Sequence, residues 1–175
     1  MIYLTGFMAS GKSTIGPILA NCLGFNHIDL DHEIEKAEGK RIRELFIEKG
    51  EAAFRMIEHS KLKEVSGYDK YVISLGGGTA LPEENFQLIK STGYLIYLKT
   101  DPQHLFRRLK NKRDRPVLQT PEGESLSDQE LRERIEVLLV TREAVYGKAD
   151  LVIHTDTKPV GHTVDEIVKF LQKLV

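Results

Sequence analysis

The sequence predicts an α/β fold, a mostly parallel sheet with helices on both faces. Apolar, β-prone runs recur at 1–5, 26–30, 71–75, 94–99 and 150–154. Helical patterns separate them, at about 12–23, 32–66, 82–91, 101–110, 127–147 and 160–174, and such alternation implies parallel strands joined through helices. Residues 6–14, Gly-Phe-Met-Ala-Ser-Gly-Lys-Ser-Thr, match G-x-x-x-x-G-K-[ST] between the first strand and the first helix, the context that confirms a phosphate-binding loop.

Each element carries its own signals. Residues 1–5, Met-Ile-Tyr-Leu-Thr, form the first apolar run. The loop after it offers backbone N–H groups and a helix N-terminus to phosphate anions. Gly6, Ala9, Ser10, Gly11, Lys12, Ser13 and Thr14 are its candidate nucleotide-binding residues. The motif's mechanics put Lys12 at the β/γ-phosphates and the Ser13 hydroxyl on Mg²⁺. Pro17 falls inside the first helix, where it removes one backbone hydrogen bond. Cys22, near the Gly24 stop, reads as a small packed core residue rather than a catalytic one.

The second run closes on His27-Ile-Asp29-Leu-Asp31. Period-2 alternation puts Asp29 and Asp31 on one face of the strand, at the edge where ligands bind in this fold class. One carboxylate could support Mg²⁺ while the other holds an acceptor hydroxyl and accepts its proton. Asp31, ahead of His-Glu-Ile-Glu, could equally cap a helix. The stretch 32–66 holds more than one helix. In its second part Phe54, Ile57, Leu62 and Val65 form the apolar stripe and Arg55 borders it. Glu51 and Glu58 lie at helical spacing from Arg55, so a surface ion pair is its default role. Gly76-Gly77-Gly78 follow the third strand directly. Three glycines exceed what a turn needs and imply a backbone that approaches a ligand closely.

Asp101-Pro102 reads as an N-cap with proline in the first helical position. Arg108 and Arg134 read as helix-surface residues. Residues 111–126 carry two prolines, a glycine and many charges between two well-capped helices. Long loops in compact domains are usually functional, and Arg113 and Arg115 favour a lid that brings positive charge to a transferring phosphate. Ser127-Asp-Gln-Glu130 is a capping box. On the helix that follows, Leu131, Ile135, Leu138, Val145 and Tyr146 form one apolar stripe with Arg142 in its middle. A guanidinium on a core-facing stripe needs an anion, either an internal carboxylate or a substrate carboxylate or phosphate held bidentately.

Composition narrows the class. The 175 residues suffice for one domain with a sizeable core, and a formal net charge of −1 gives no argument for a nucleic-acid partner. A single cysteine and six scattered histidines give no disulfide framework and no Cys/His metal cluster. No signal-peptide pattern or membrane-length apolar run is present, so a cytoplasmic protein without a membrane partner is expected. Asn111-Lys112-Arg113-Asp114 matches the guanine-reading N-K-x-D, but it follows a helical pattern rather than a strand, and the chain contains no D-x-x-G. No four-residue apolar run ends in an acidic metal ligand, as motor-type ATPases require. What remains is a small kinase acting on a small molecule.

Six segments in order, 6–14, Asp29-Leu-Asp31, Gly50-Glu-Ala-Ala-Phe-Arg55-Met-Ile-Glu58, Gly76-Gly-Gly78, Arg115-Pro-Val-Leu118 and Arg142-Glu-Ala-Val-Tyr146, resemble the shikimate kinases over nearly the whole chain. The resemblance implies a five-stranded parallel sheet flanked by helices, the three-layer P-loop kinase architecture of the nucleoside monophosphate kinases. It implies one domain over 1–175, with a substrate-binding helical region at about 32–66 and a lid at about 111–126. It also implies transfer of the γ-phosphate of ATP to the 3-hydroxyl of shikimate, in the chorismate route to aromatic compounds, by a Mg²⁺-dependent monomer.

By the same resemblance, Lys12 and the loop backbone bind phosphates, Ser13 ligates Mg²⁺, and Asp29 supports the metal through water. Asp31 holds the acceptor hydroxyls and is the base. Arg55, Arg142 and the Gly76, Gly77 and Gly78 backbone bind shikimate, the arginines its carboxylate. Arg115 stabilises the transferring phosphate, and Arg108 stacks on adenine opposite the turn near 155–159. Ala144 stands where the family usually has proline, and the stretch between Arg115 and Arg142 is longer than in compact members. Competing readings are a related kinase for gluconate or a nucleoside monophosphate, and a nucleotide-binding module without catalysis. The D-x-D, the glycine triplet and the Arg-Pro of the lid favour shikimate over gluconate. Arg142 and the paired aspartates argue against a module that lacks an acceptor site.

Overall fold

The computed structural model describes residues 1–111, 118, 126–156 and 158–174. Among them, strands β1 (Ile2–Thr5), β2 (Asn26–Asp29), β3 (Tyr71–Ser74), β4 (Tyr94–Lys99) and β5 (Leu151–His154) alternate with helices. The helices are α1 (Lys12–Leu23), α2 (Leu30–Glu38), α3 (Ile42–Val65), α4 (Glu83–Thr92), α5 (Pro102–Leu109), α6 (Asp128–Tyr146) and α7 (Val160–Gln172). The strands form one sheet in the order β2-β3-β1-β4-β5, and every pairing is parallel. The order reverses at β1, and in sheets of this kind ligands bind beyond the strand ends at that point. The phosphate loop leaves β1 there.

A parallel sheet is covered on both faces, so its strands bury side chains of either parity. Along β1, Tyr3 enters a cluster with Leu30, Ile34, Leu45, Phe54, Leu62, Phe86 and Ile89 from α2, α3 and α4. Its neighbours Ile2 and Leu4 enter the opposite cluster with Ile15, Leu19, Val164 and Ile167 from α1 and α7. In a third cluster, Phe7 of the loop packs with Leu105, Phe106 and Leu109 of α5 and with Leu131, Ile135 and Leu139 of α6. This last cluster ties the α5–α6 pair to the phosphate loop.

The local stop and start signals operate as their chemistry dictates. Asp101 caps α5 by accepting from the Gln103 N–H, with Pro102 as first helical residue, and Ser127 with Glu130 forms the capping box of α6. Gly24 ends α1 in the left-handed region at φ 66. Helix α1 continues through Pro17, for which the structure offers no functional account. Cys22 is exposed, contrary to the expected core position, because the buried face of α1 is Ile15, Gly16, Leu19 and Ala20. Within α3, Gly50 takes φ 79 and ψ 170 and breaks the helix into two arms. None of the described helices is long and apolar enough to cross a membrane.

Helix α1 sits on the sheet through Gly16. A methyl group there would lie 2.5 Å from His27 Nε2 and 2.8 Å from Ser74 Oγ. These two side chains are within hydrogen-bond distance of each other, at 3.0 Å. Burial pushes the His27 imidazole pKa down, partly offset by Asp29, so the ring sits under α1 in its neutral form. Gly16→Ala is therefore expected to destabilise the protein by about 1–3 kcal/mol through overpacking, even though alanine is the better helix former. A fall in the urea midpoint checks this, and an unchanged midpoint would contradict so close a seat.

Candidate active site

Two cavities flank the phosphate loop. One, of about 340 Å³, is lined by loop and α1 residues Ser10, Gly11, Ser13 and Thr14 and by Arg108, Thr155 and Lys158. The other, of about 240 Å³, is lined by Lys12, Ser13, Asp29, Asp31, Arg55, Glu58, Gly76, Gly77, Gly78 and Arg142. Ala9, Gly11 and Ser13 line both, so the loop is their common wall. Such an arrangement suits two ligands that exchange a group across the loop.

The loop is held from several sides. Gly11, the residue before α1, takes φ 106, and Ala9 takes a left-handed φ of 63, which costs a non-glycine residue about 1–2 kcal/mol. Arg108 Nη1 donates to the Ala9 carbonyl at 2.9 Å, and Thr155 Oγ1 donates to the Ser10 carbonyl at 3.2 Å. Lys12 Nζ donates to the carbonyls of Gly6 at 2.7 Å and Phe7 at 3.0 Å, which keeps its charge at the loop mouth. Arg108 is exposed, as its surface reading predicts, yet it reaches the loop and borders the first cavity.

In the second cavity, side chains converge on the glycine triplet. None of Gly76, Gly77 and Gly78 has a positive φ, so glycine is required there for space. A methyl at Gly76 would lie 2.7 Å from Asp31 Oδ1, and one at Gly77 would lie 2.8 Å from Arg142 Nη1. A methyl at Gly78 would lie 2.7 and 2.8 Å from the two terminal nitrogens of Arg55. The close approach seen at the triplet is made by these three side chains, whereas the sequence implied approach to a ligand.

Arg142 sits on the buried face of α6 with Leu131, Ile135, Leu139 and Tyr146. Leu139 takes the place that periodicity assigned to Leu138. Arg142 is only 8% exposed, and its buried Nη1 has no hydrogen-bond partner among the described residues. Its guanidinium lies 5.2 Å from the Phe7 ring. Tyr146 donates its hydroxyl to the Gly77 carbonyl. Burial pushes that phenol's pKa up while Arg142 pulls it back, and a protonated phenol is what the bond requires.

Arg55 departs from its expected surface pairing. One terminal nitrogen meets the exposed Glu51 at 3.3 Å, but the other meets Glu58 at 2.7 Å, and Glu58 is 1% exposed. Burial lowers the Arg55 pKa, and the two carboxylates outweigh it to leave a net rise. Glu58 also accepts from Thr79 Oγ1 at 2.6 Å.

The aspartates correct the strand reading. β2 ends at Asp29 and α2 begins at Leu30, so alternation does not extend to Asp31. Asp29 is the helix cap and accepts from the His32 N–H at 3.3 Å, a role that the sequence left open for Asp31. Asp31 lies in the first turn of α2. Both nevertheless line the second cavity. Arg115, Arg113 and the expected lid fall outside the described residues, apart from positions 111, 118 and 126. Among the described residues there is no group of three or more His, Cys, Asp or Glu side chains that could hold a metal ion.

The model of the shikimate kinase family matches residues 8–172. A shikimate kinase of Chlorobaculum parvum is 50% identical over 173 residues, 99% of this chain and 92% of that protein. This chain belongs to the shikimate kinase family. The crystal structure of a shikimate kinase from Bacteroides thetaiotaomicron superposes with a TM-score of 0.88 at 36% identity, covering 98% of this chain and 97% of that one. A shikimate kinase from Acinetobacter baumannii in complex with shikimate gives 0.86 at 32% identity, covering 98% and 92%. A gluconokinase from Sinorhizobium meliloti, at 16% identity and a TM-score of 0.63, shares the fold alone.

Three features of this shikimate kinase family member are hidden from the sequence. Glu58 is buried because its helix arm turns it toward Thr79, whereas its spacing from Arg55 suggested only a surface ion pair. The Tyr146 hydroxyl reads as part of a stripe until Gly77 is seen beside it. Phe46 and Phe54 stand eight residues apart across Gly50, yet their rings meet at 4.4 Å and line the second cavity. Only the break at Gly50 brings them together.

A buried guanidinium with one unpartnered nitrogen is a burden on the fold, worth about 1–3 kcal/mol for the missing bond. Arg142→Met keeps the volume and removes the charge. It is expected to leave resistance to urea unchanged or higher by about 1–2 kcal/mol. A loss above about 3 kcal/mol would instead mark Arg142 as half of a structural ion pair.

Proposed function

We propose that this chain transfers the γ-phosphate of ATP to the 3-hydroxyl of shikimate, giving shikimate 3-phosphate and ADP. The observation that carries this reading is the Arg142 guanidinium, buried and without a partner at Nη1 among the described residues, opening on a cavity shared with Asp31, Arg55 and the phosphate loop. A carboxylate of the acceptor would complete its hydrogen bonding in a bidentate pair. The A. baumannii relative binds shikimate, which is a hydroxylated carboxylate.

In this reading the acceptor lies against the Gly76–Gly78 backbone with its carboxylate toward Arg142 and Arg55. Asp31, beside Gly76, orients the reacting hydroxyl and accepts its proton as the oxygen attacks. The nucleotide occupies the first cavity, with Gly6, Ala9, Ser10, Gly11, Ser13 and Thr14 around its phosphates and Arg108 on its base. Lys12 and Arg115 stabilise the charge on the phosphoryl group in transit. The Ser13 hydroxyl and Asp29 suit Mg²⁺, which keeps several waters and takes one or two protein oxygens besides phosphate. Mg²⁺ would neutralise phosphate charge. The reading also takes the protein to be a cytoplasmic monomer.

A panel of acceptors with ATP and Mg²⁺ tests the assignment. Shikimate should be phosphorylated and gluconate and nucleoside monophosphates should not; turnover of gluconate alone would overturn the choice of acceptor. Asp31→Asn should lower kcat by about 10²–10⁴ with ATP affinity retained, and an undiminished kcat would remove Asp31 as the base.

A further inference from the structure

A chain of hydrogen bonds leaves the second cavity, passes through α4 and returns to α3. Arg55 Nη1 donates to Glu58 Oε2 at 2.7 Å, and Thr79 Oγ1 donates to Glu58 Oε1 at 2.6 Å. Asn85 Nδ2 donates to the Thr79 carbonyl at 2.7 Å. Asn85 Oδ1 lies 2.6 Å from His59 Nδ1. Thr79 is fully buried and Asn85 is 1% exposed, yet neither lines either cavity. Their polar groups therefore serve something other than ligand contact.

The direction of every bond follows from donor and acceptor chemistry. A carbonyl only accepts, so Asn85 must turn its NH₂ toward Thr79. Its Oδ1 then faces His59 and needs a proton there. The neutral His59 ring must carry its hydrogen on Nδ1 rather than Nε2. The path closes on itself, because Arg55, Glu58 and His59 all belong to the second arm of α3. Between these ends the segment 76–81 is a turn, with Thr79 N–H donating to the Gly76 carbonyl at 3.2 Å and Leu81 N–H to that of Gly78 at 3.1 Å. Asn85 pins this turn at its centre.

We propose that Asn85 is a positioning residue for acceptor binding, acting through Thr79 on the Gly76–Gly78 backbone and on the Arg55–Glu58 pair. This rests on the reading of the second cavity as the acceptor site. Asn85 locks the triplet, α4 and the distal arm of α3 into one body, so that the triplet backbone and the Arg55 guanidinium keep a fixed spacing. The nucleotide side of the phosphate loop has no bond in this chain and is unaffected by it.

Asn85→Asp is isosteric and sets an acceptor against the Thr79 carbonyl. It should raise the KM for shikimate about ten- to hundredfold through misplacement of the triplet, with the KM for ATP within about twofold. Thr79→Val should act in the same direction and Thr79→Ser should restore wild-type behaviour, which keeps the test open should the Asn85 variant fail to fold. Nitrogen-15 NMR of neutral His59 in the wild-type protein should show the Nδ1–H form. An Nε2–H ring overturns the chain itself. Unchanged KM values in Asn85→Asp and Thr79→Val, or equal rises for both substrates with a lowered melting temperature, overturn the positioning role. A wild-type enzyme that ignores shikimate contradicts the functional reading instead, while the His59 signature still judges the chain.

Discussion

Side chains from α2, α3 and α6 reach the backbone at the end of β3, and each occupies the space a Cβ would fill. Asp31, Arg55 and Arg142 lie within 2.7 to 2.8 Å of where methyl groups on Gly76, Gly77 and Gly78 would stand. The second cavity depends on this close approach. With any larger residue in the triplet, one of the three helices would have to move outward or one charged group would have to swing away. The hydrogen bond from Tyr146 to the Gly77 carbonyl and the turn at 76–81 hold the backbone at the required depth.

This arrangement opposes stability locally. Two charged residues, Arg142 and Glu58, are buried, and burying charge is unfavourable unless it is paired and hydrogen-bonded. Glu58 is fully engaged, by Arg55 on one oxygen and Thr79 on the other. Arg142 is not, since Nη1 finds no acceptor among the described residues. The contrast assigns the two groups different work. A satisfied buried carboxylate orients its neighbour, whereas an unsatisfied guanidinium nitrogen keeps a donor with which an anion can pair. The apolar clusters on both faces of the sheet offset the cost, with each fully buried Leu or Ile contributing about 1.5–3 kcal/mol.

The fold was legible in the sequence because its signals are local. The five apolar runs become the five strands, within a residue at each end. The capping residues of α5 and α6 act as their chemistry requires. Arg142 was legible for a related reason: a cation on an apolar stripe is a conflict visible in periodicity alone. The roles of Asp29 and Asp31 were not. Whether the chain leaves a strand at 29 or at 31 is decided by a single cap, and a pattern of period two cannot see where it stops. Cys22 misled in the opposite way, since its apolar character says nothing of which side of α1 it occupies. The Thr79–Asn85–His59 path was invisible because its links from α3, Glu58 to Thr79 and His59 to Asn85, span 21 and 26 positions. No shared periodicity joins them, and only the packing of α4 on α3 brings them together.

The two cavities also differ in how they are built. The first cavity uses loop backbone, whose N–H groups with the helix N-terminus suit phosphate, and an exposed Arg108 and the Thr155 hydroxyl that hold the loop carbonyls. The second cavity uses buried charge, a cleared backbone and a closed hydrogen-bond path. Under the proposed assignment, specificity rests on the residues that pack, Glu58, Thr79 and Tyr146 among them, as much as on the residues that touch the ligand.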